Sequence, residues 1–147
     1  MSSMRCLTRL TGEHCCTMLS AERIVIMNDC TRQPTIKPWG NYIVLADQPN
    51  HKVKRITVSP GERLSLQEHK RRSEYWIVVS GEGIVTCGDH KQRVTAGDVS
   101  FIPLSTPHRV EATGSKPLIF VEVQLGTYFG EDDIIRLEDD YGRTDLV

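Results

Sequence analysis

The sequence predicts an all-β fold, a single domain built as an antiparallel sandwich or barrel. From Trp39 onward, nine short β-like runs follow one another, separated by stretches that contain Gly or Pro. No segment of about 10–15 residues between them shows the hydrophobic period of a helix, which argues against alternating β and α units. The length of 147 residues suits one domain with a real core.

The predicted strands are short apolar or alternating runs, taken here in chain order. They cover residues 41–46, 53–58, 64–67, 75–79, 84–87, 92–95, 99–102, 108–112 and 118–124. The connecting segments include Ser-Pro-Gly, Ser-Gly-Glu-Gly, Cys-Gly-Asp, Ala-Gly-Asp and Thr-Gly-Ser-Lys-Pro. Each contains a Gly or Pro that can turn the chain tightly, so neighbouring strands are expected to pair antiparallel.

The first part of the chain differs from the rest, and we expect residues 1–33 to be a poorly ordered extension before the domain at 34–147. This segment lacks the uninterrupted apolar core of about 7–15 residues that a signal peptide needs. It holds four of the five cysteines, Cys6, Cys15, Cys16 and Cys30. Their spacing suits neither a zinc site nor a disulfide framework, so the sequence predicts reduced thiols and a cytoplasmic protein.

The composition argues against nucleic acid and membrane as partners. The formal net charge is −1, with 39% hydrophobic and 25% charged residues. Such a balance gives no electrostatic bias toward nucleic acid or an anionic membrane. The sequence contains no apolar run near the ~20 residues of a membrane span.

Four residues form a predicted metal site: Gln67, His69, Glu74 and His108. The alternation in residues 63–69 indicates a strand, in which Gln67 and His69 share a face. Glu74 opens the next apolar run after a four-residue turn, and a hairpin of that size would return its carboxylate beside them. Two imidazoles, a carboxylate and an amide oxygen suit a divalent metal ion with positions left open for a substrate.

Glycine and proline frame these ligands at the spacings of the two motifs of the cupin superfamily. The first motif is matched by Gly61, Gln67, His69, Glu74 and Gly81, with Gln in place of its first His. The second is matched by Gly97, Pro103 and His108, with Ser105 at a common Gly and Ala112 at a common Asn. The chain therefore resembles a metal-binding cupin, and the resemblance implies a jelly-roll barrel.

A narrower resemblance covers residues 37–143. The segments 37–45, 53–83 and 125–143 are similar to the isomerase domain of type II phosphomannose isomerases. The last segment, LGTYFGEDDIIRLEDDYGR, is far more specific than the general cupin pattern. That domain is usually the C-terminal part of a bifunctional enzyme that also contains a mannose-1-phosphate guanylyltransferase. Because such a domain cannot fit in the preceding 36 residues, we expect a free-standing isomerase half.

The resemblance implies an enzyme that interconverts mannose 6-phosphate and fructose 6-phosphate and feeds GDP-mannose and polysaccharide synthesis. One divalent ion would stabilise charge on the sugar oxygens, with zinc the family-style choice and manganese, nickel, cobalt or iron(II) also compatible. Arg72 stands where this family carries an arginine important for isomerase activity. Lys70, Arg71 and Tyr75 replace the family's usual histidines, which alters the rim of the site without removing a ligand.

A sugar phosphate also needs fixed cations, and we predict Arg63, Lys54 and Arg109 for this role. Arg63 is expected to share a strand face with Gln67 and to point into the same cavity. The candidates for the proton-transferring group are Lys54, Glu131, Asp132 and Asp133.

Two other functions remain open. One is a non-catalytic cupin that binds a sugar phosphate or sugar nucleotide and acts with a separate guanylyltransferase. The other is a different metal-dependent cupin enzyme, such as a dioxygenase. A homodimer is compatible with the sequence.

Overall fold

The computed structural model describes residues 32–143. Within that range lie eleven strands and one turn of 3-10 helix, Glu131–Asp133. The strands are β1 Thr35–Lys37, β2 Gly40–Gln48, β3 His51–Val58, β4 Leu66–Glu68, β5 Arg72–Ser80, β6 Glu82–Cys87, β7 His90–Thr95, β8 Val99–Ile102, β9 His108–Ala112, β10 Leu118–Gly126 and β11 Ile135–Glu138. The expectation of a poorly ordered extension falls almost entirely on residues 1–31, which lie outside the described residues.

The strands form two antiparallel sheets, which confirms the predicted fold class. One sheet has the order β1-β2-β3-β10-β5-β8 and the other β11-β4-β9-β6-β7. Nine of the strands correspond to predicted ones, while β1 and β11 were not predicted from the pattern. Both are short edge strands. Their own sequences do not specify a strand, and they are held extended by pairing with β2 and β4.

Inward-facing side chains divide the interior into an apolar end and a polar end. On β5 the buried residues are Arg72 and Glu74, followed by Trp76 and Val78. On β10 they run the other way, from Leu118 and Phe120 to Glu122 and Gln124. Because the strands are antiparallel, with Gln124 opposite Glu74 and Phe120 opposite Val78, the polar halves of both strands meet at one end.

The apolar end is a continuous core contributed by both sheets. Its buried members are Trp39, Ile56, Val58, Leu64, Trp76, Val78, Val85, Val94, Ile102, Val110, Ala112, Leu118 and Phe120. Burial of apolar surface is the main favourable contribution to folding, so this end stabilises the barrel. The polar end contains the buried ionisable side chains, including Arg72, Glu74 and Glu122.

The outer face of β5 and β8 exposes apolar side chains: Tyr75, Ile77, Val79, Val99 and Phe101. Tyr75 lies opposite Phe101 in the ladder, with ring centroids 4.7 Å apart. The predicted homodimer stays a prediction. None of the helices among residues 32–143 is long and apolar enough to cross a membrane, and the cytoplasmic location likewise stays a prediction.

Candidate metal centre

The predicted ligands come from both sheets and face one another at the polar end of the barrel. Gln67 on β4 lies directly opposite His108 on β9. Glu74 belongs to β5 in the other sheet, and His69 lies on the segment that crosses between them. The prediction of a hairpin between residues 67 and 74 was therefore wrong. β4 pairs with β9 and β11 rather than β5, and the turn carries Glu74 into the other sheet, from which its carboxylate faces His69 and His108 across the barrel.

His69, Glu74 and His108 form a compact buried cluster. His69 Nε2 lies 3.2 Å from Glu74 Oε1, and His108 Nε2 lies 3.6 Å from Glu74 Oε2. One ligand atom from each residue can be chosen so that all three lie within 4.8 Å of one another. The side chains are only 1–2% exposed. This is the closeness expected of three side chains that coordinate a single ion.

Backbone carbonyls orient both imidazoles toward the centre of the cluster. His108 Nδ1 lies 2.8 Å from the carbonyl oxygen of Thr106, and His69 Nδ1 lies 3.3 Å from that of Asp133. A carbonyl oxygen can only accept, so each Nδ1 carries the proton and each Nε2 presents its lone pair to the centre of the cluster. Metal-ligating histidines are commonly held in this way.

His108 provides a direct test of whether the residues fit a metal ion. Its Nε2 is buried and has no hydrogen-bond partner among the described residues. A buried polar atom without a partner is costly, and native structures usually satisfy it with water or an ion. Burial is also the main cause that lowers the pKa of His108. The ring is therefore neutral and able to ligate a metal, so the cluster fits a divalent cation.

Glu74 is held as an ionised carboxylate. Trp76 Nε1 donates to Oε2 at 3.0 Å, and Gln124 Nε2 donates to Oε1 at 3.1 Å. Burial alone would raise the pKa of Glu74, but the adjacent imidazoles of His69 and His108 and the charge of Arg72 lower it well below its ordinary value. The carboxylate remains available as a ligand throughout the neutral range.

Gln67 is half-buried and lines the cavity beside His69 and Glu74. Its amide oxygen accepts a hydrogen bond from Ser65 Oγ at 3.0 Å. An amide oxygen has two lone pairs, so this bond leaves one for a metal. The structure thus brings all four predicted ligands to one end of the barrel, and their ligand role stays a prediction.

Arg72, the predicted catalytic residue, lies inside the site with a side chain only 2% exposed. Its Nε donates to Glu74 Oε1 at 3.2 Å, its Nη1 to the carbonyl oxygen of Gly130 at 3.2 Å, and its Nη2 to His69 Nε2 at 3.4 Å. The neighbouring Arg71 is exposed and stacks on the ring of Tyr128, with 5.2 Å from Cζ to the centroid.

The close approach of two strands places Arg72 at this depth. Gly126 on β10 lies opposite Arg72 on β5. A Cβ on Gly126 would overlap the carbonyl oxygen of Arg71 and lie 2.9 Å from the Cα of Arg72. Glycine is therefore required for β10 to run this close to the start of β5.

The 3-10 turn of the tail holds the ligand-bearing segment from the other side. The Asp133 carboxylate accepts the backbone N–H groups of Lys70 at 3.3 Å and Arg71 at 3.2 Å, and it lies 3.6 Å from Arg72 Nη1. Its carbonyl oxygen orients His69. Asp133 therefore acts through its neighbours as a positioning residue. The Asp132 carboxylate instead accepts a hydrogen bond from the Tyr128 hydroxyl, 2.5 Å away, at the protein surface.

A cavity opens beside the cluster and is rich in charge. Its cationic lining residues are Lys37, Lys54, Arg72, Arg136 and Arg143. Its carboxylate lining residues are Glu74, Glu122 and Glu131. Of the three predicted substrate-binding residues, only Lys54 lines it.

The structure does not bring Arg63 and Arg109 to the cavity. Arg63 is half-buried and donates to Asp140, with Nε 2.6 Å from Oδ2, and Arg109 pairs with Glu138 at 3.2 Å. The reasoning from strand alternation fails because β4 begins only at Leu66. Before β4, the consecutive residues Leu64 and Ser65 are both buried, which breaks the alternation of a strand. The face that carries Gln67 therefore does not extend back to Arg63. Their substrate-binding role stays a prediction that this geometry does not support.

Glu122 is the main cavity residue that sequence reasoning missed. It is buried on β10, where Gln124 Nε2 donates to its Oε2 at 3.0 Å and Lys54 Nζ lies 3.9 Å away. Burial, followed by the nearby charge of Glu74, raises the pKa of Glu122 to about 8. The run LIFVEVQL contained the information needed to find it, because in a strand Glu122 and Gln124 point to the same inward face as Leu118 and Phe120. Lys37, Arg136 and Arg143 were also missed, since none of them lies in a predicted strand.

Comparison with known proteins agrees with this geometry. The profile of the family described as "Mannose-6-phosphate isomerase C-terminal" matches residues 27–139. The chain is 51% identical over 108 residues to the xanthan biosynthesis protein XanB of Xanthomonas campestris, covering 74% of this chain and 23% of that protein. It is also 51% identical over 108 residues to the alginate biosynthesis protein AlgA of Pseudomonas aeruginosa, covering 74% and 22%. A third relative, the mannose-1-phosphate guanylyltransferase RfbM of Salmonella typhimurium, is 47% identical over 106 residues, covering 72% and 22%.

Solved structures share the fold at low sequence identity. An oxalate decarboxylase of Lactobacillus farciminis in complex with formate matches with a TM-score of 0.65 and 23% identity, covering 78% of this chain and 35% of that one. The capsular polysaccharide assembling protein CapF of Staphylococcus aureus matches with a TM-score of 0.64 and 19% identity, covering 74% of this chain and 33% of that one. A Klebsiella pneumoniae protein described as having a double-stranded β-helix domain matches at 0.57 and 23%, covering 67% and 81%.

These matches confirm the cupin-type fold and the predicted family. The chain spans about a quarter of the length of the curated relatives, so their whole activities do not transfer with the match. The profile match, however, covers well over half of the chain. The chain belongs to the family of mannose-6-phosphate isomerase C-terminal domains.

Proposed function

We propose that this domain interconverts mannose 6-phosphate and fructose 6-phosphate with the help of one divalent metal ion. The observation that carries the proposal is the buried cluster of His69, Glu74 and His108, in which His108 Nε2 has no hydrogen-bond partner among residues 32–143. The cationic cavity beside the cluster and the family match support the same conclusion.

Gln67, His69, Glu74 and His108 would hold the metal ion. Zinc suits this mixed nitrogen and oxygen set, and manganese, nickel, cobalt or iron(II) are compatible with it. When bound, the ion supplies Lewis-acid polarisation of the sugar oxygens. Arg72, whose guanidinium contacts Glu74 and His69, would add positive charge where negative charge develops on those oxygens.

Glu122 is the best placed carboxyl group to move the proton between C1 and C2 of the sugar. Three carboxylates among the described residues line the cavity. Glu74 belongs to the candidate metal cluster, and Glu131 is exposed and paired with Lys37 and Lys54. Glu122 is buried and carries a pKa of about 8. A general base works best when its pKa is close to the working pH, because it must both take and return the proton.

A coupled assay that measures fructose 6-phosphate formed from mannose 6-phosphate tests the proposal. We expect turnover by the protein loaded with a divalent ion, and its loss after chelation. Protein that carries a stoichiometric metal ion, binds mannose 6-phosphate and shows no turnover with any of the five metals would refute the proposed function. The family's place in xanthan and alginate proteins supports a role in GDP-mannose and polysaccharide synthesis.

One observation favours a second function, a non-catalytic cupin that binds a sugar phosphate or sugar nucleotide beside a separate guanylyltransferase. Arg72 Nη2 lies 3.4 Å from His69 Nε2, the nitrogen that a metal ion would take. If this hydrogen bond persists, the arginine replaces the ion and the site binds anions alone. Elemental analysis distinguishes the two functions, since the second expects no bound metal after incubation with divalent ions.

A further inference from the structure

We propose that Lys37 and Lys54 form the subsite for the phosphate group of a sugar phosphate, and that Glu131 occupies it as an internal competitor until the phosphate displaces it. The proposal deepens the proposed function and rests on it for the identity of the sugar. It assigns the phosphate end of the substrate to named residues, and it explains how a free sugar would be discriminated.

Three adjacent strands hold the two lysines together. Lys37 ends β1, Tyr42 lies on β2 and Lys54 lies on the inward face of β3. The Nζ of Lys37 lies 5.7 Å from the centroid of the Tyr42 ring, and the Nζ of Lys54 lies 4.7 Å from it. Both ammonium groups therefore lie near the same aromatic ring, whose π-electrons favour cations.

One carboxylate bridges the two ammonium groups. Glu131 Oε2 lies 3.9 Å from Lys37 Nζ, and Glu131 Oε1 lies 3.9 Å from Lys54 Nζ. Each oxygen faces one lysine, which is the arrangement that two oxygens of a phosphate group would adopt. The position of the carboxylate thus marks an anion site between the lysines.

The bridging carboxylate is weakly held. Both of its contacts are 3.9 Å long, whereas charge-assisted hydrogen bonds measure about 2.7–2.9 Å. The Glu131 side chain is 53% exposed, and exposed ion pairs contribute little free energy. A phosphate monoester carries a charge of about −1.5 to −2 and three acceptor oxygens. It should therefore displace the single carboxylate from both lysines.

The lysines lie at a suitable distance from the metal cluster. Lys54 contacts Glu122 at 3.9 Å, and Gln124, two residues further along β10, contacts Glu74 at 3.1 Å. Two residues of a strand span about 7 Å. This separation would allow the C1 and C2 end of an extended hexose to reach the metal cluster while its 6-phosphate lies on the lysines.

Calorimetric titration of the full chain with inorganic phosphate and with mannose 6-phosphate tests the proposal. Glu131→Gln keeps the shape of the side chain and removes its charge, so we expect it to tighten phosphate binding several-fold. Lys37→Met and Lys54→Met should weaken it about tenfold, the effect of losing one hydrogen bond to a charged group. Lys52→Met is the matched control, because Lys52 lies on the same strand, pairs with Asp47 at 2.9 Å and does not line the cavity.

The outcomes separate this inference from the proposed function. Unchanged or weaker phosphate binding by Glu131→Gln would overturn the competitor role, and equal effects of Lys37→Met and Lys52→Met would overturn the subsite. Lys37→Met keeps the test valid if Lys54→Met fails to fold, because Lys37 is more exposed. If the wild type isomerises the sugar while both lysine variants bind it normally, only this inference fails. If the lysine and glutamate effects appear without any turnover, the subsite stands and the proposed function fails.

Discussion

Replacing Arg72 with methionine separates a catalytic arginine from a structural one. The substitution removes the guanidinium charge while keeping a long side chain in a position that is only 2% exposed. It replaces none of the four predicted metal ligands, although it removes hydrogen bonds to two of them, Glu74 and His69. Arg71→Met is the matched control, because the Arg71 side chain is exposed and stacks on the ring of Tyr128, outside the cluster.

The structure sets the size of the expected effect. Arg72 donates to an ionised carboxylate, Glu74 Oε1, at 3.2 Å and to the carbonyl oxygen of Gly130 at 3.2 Å. Its loss leaves Glu74 with the donors Trp76 and Gln124, so the carboxylate stays held. We therefore expect a modest loss of stability, about 1–3 kcal/mol. Removing one charged donor from a developing oxyanion should lower kcat/KM about 100-fold, near 3 kcal/mol of transition-state stabilisation.

Three measurements on each variant decide the matter. Elemental analysis should find the same metal content in Arg72→Met, Arg71→Met and the wild type. Thermal melting should show all three proteins folded at the assay temperature. The coupled isomerase assay should then show the large loss of kcat/KM for Arg72→Met alone.

Equal and small effects of the two substitutions on kcat/KM would refute the reasoning about Arg72. A gain of bound metal in Arg72→Met, with no change in activity, would also contradict it. In that case the guanidinium competes with the ion for His69 Nε2 and does not assist the reaction.

Three further predictions follow from the same geometry. His69→Ala should abolish metal binding as measured by elemental analysis, because the remaining ligands leave the ion under-coordinated; retained stoichiometric metal would exclude His69 as a ligand. Glu122→Gln should lower kcat at least about 100-fold at unchanged metal content if this carboxyl group moves the proton, and near-normal kcat would assign the transfer elsewhere. Asp139→Asn should lower the Tm at pH 7, since hydrogen bonds from Arg143 lower the pKa of Asp139 against the opposing effect of burial. Because the pKa of Asp139 is lower in the folded state than its ordinary value of 3.8, its carboxylate stabilises the fold above that pH, and this stabilisation is lost as the pH falls through the folded pKa. The Tm difference between wild type and variant should therefore shrink toward pH 3. A difference that stays constant with pH would refute this cause.

Local sequence predicted nine of the strands among residues 32–143 and brought out the four residues of the candidate metal site. Two-residue alternation identified nine strands, because the side chains of a strand point alternately to opposite faces whatever its partner is. The spacing of Gln67, His69, Glu74 and His108 predicted a ligand set that the structure gathers at one end of the barrel. Arg72 was predicted from the family resemblance, and it does lie among these residues.

The tertiary structure decided which residues share the cavity. Alternation specifies the face of a strand but not the sheet in which the strand pairs, so the connection between Gln67 and Glu74 was read as a hairpin when it crosses between sheets. Arg63 was lost from the cavity because two consecutive buried residues break the alternation before β4. Lys37, Lys54 and Glu131 are brought together by the ladders of β1, β2 and β3 and by the turn of the tail. Such contacts between distant parts of the chain depend on strand pairing and on packing across the barrel, neither of which is encoded in the spacing of any one segment.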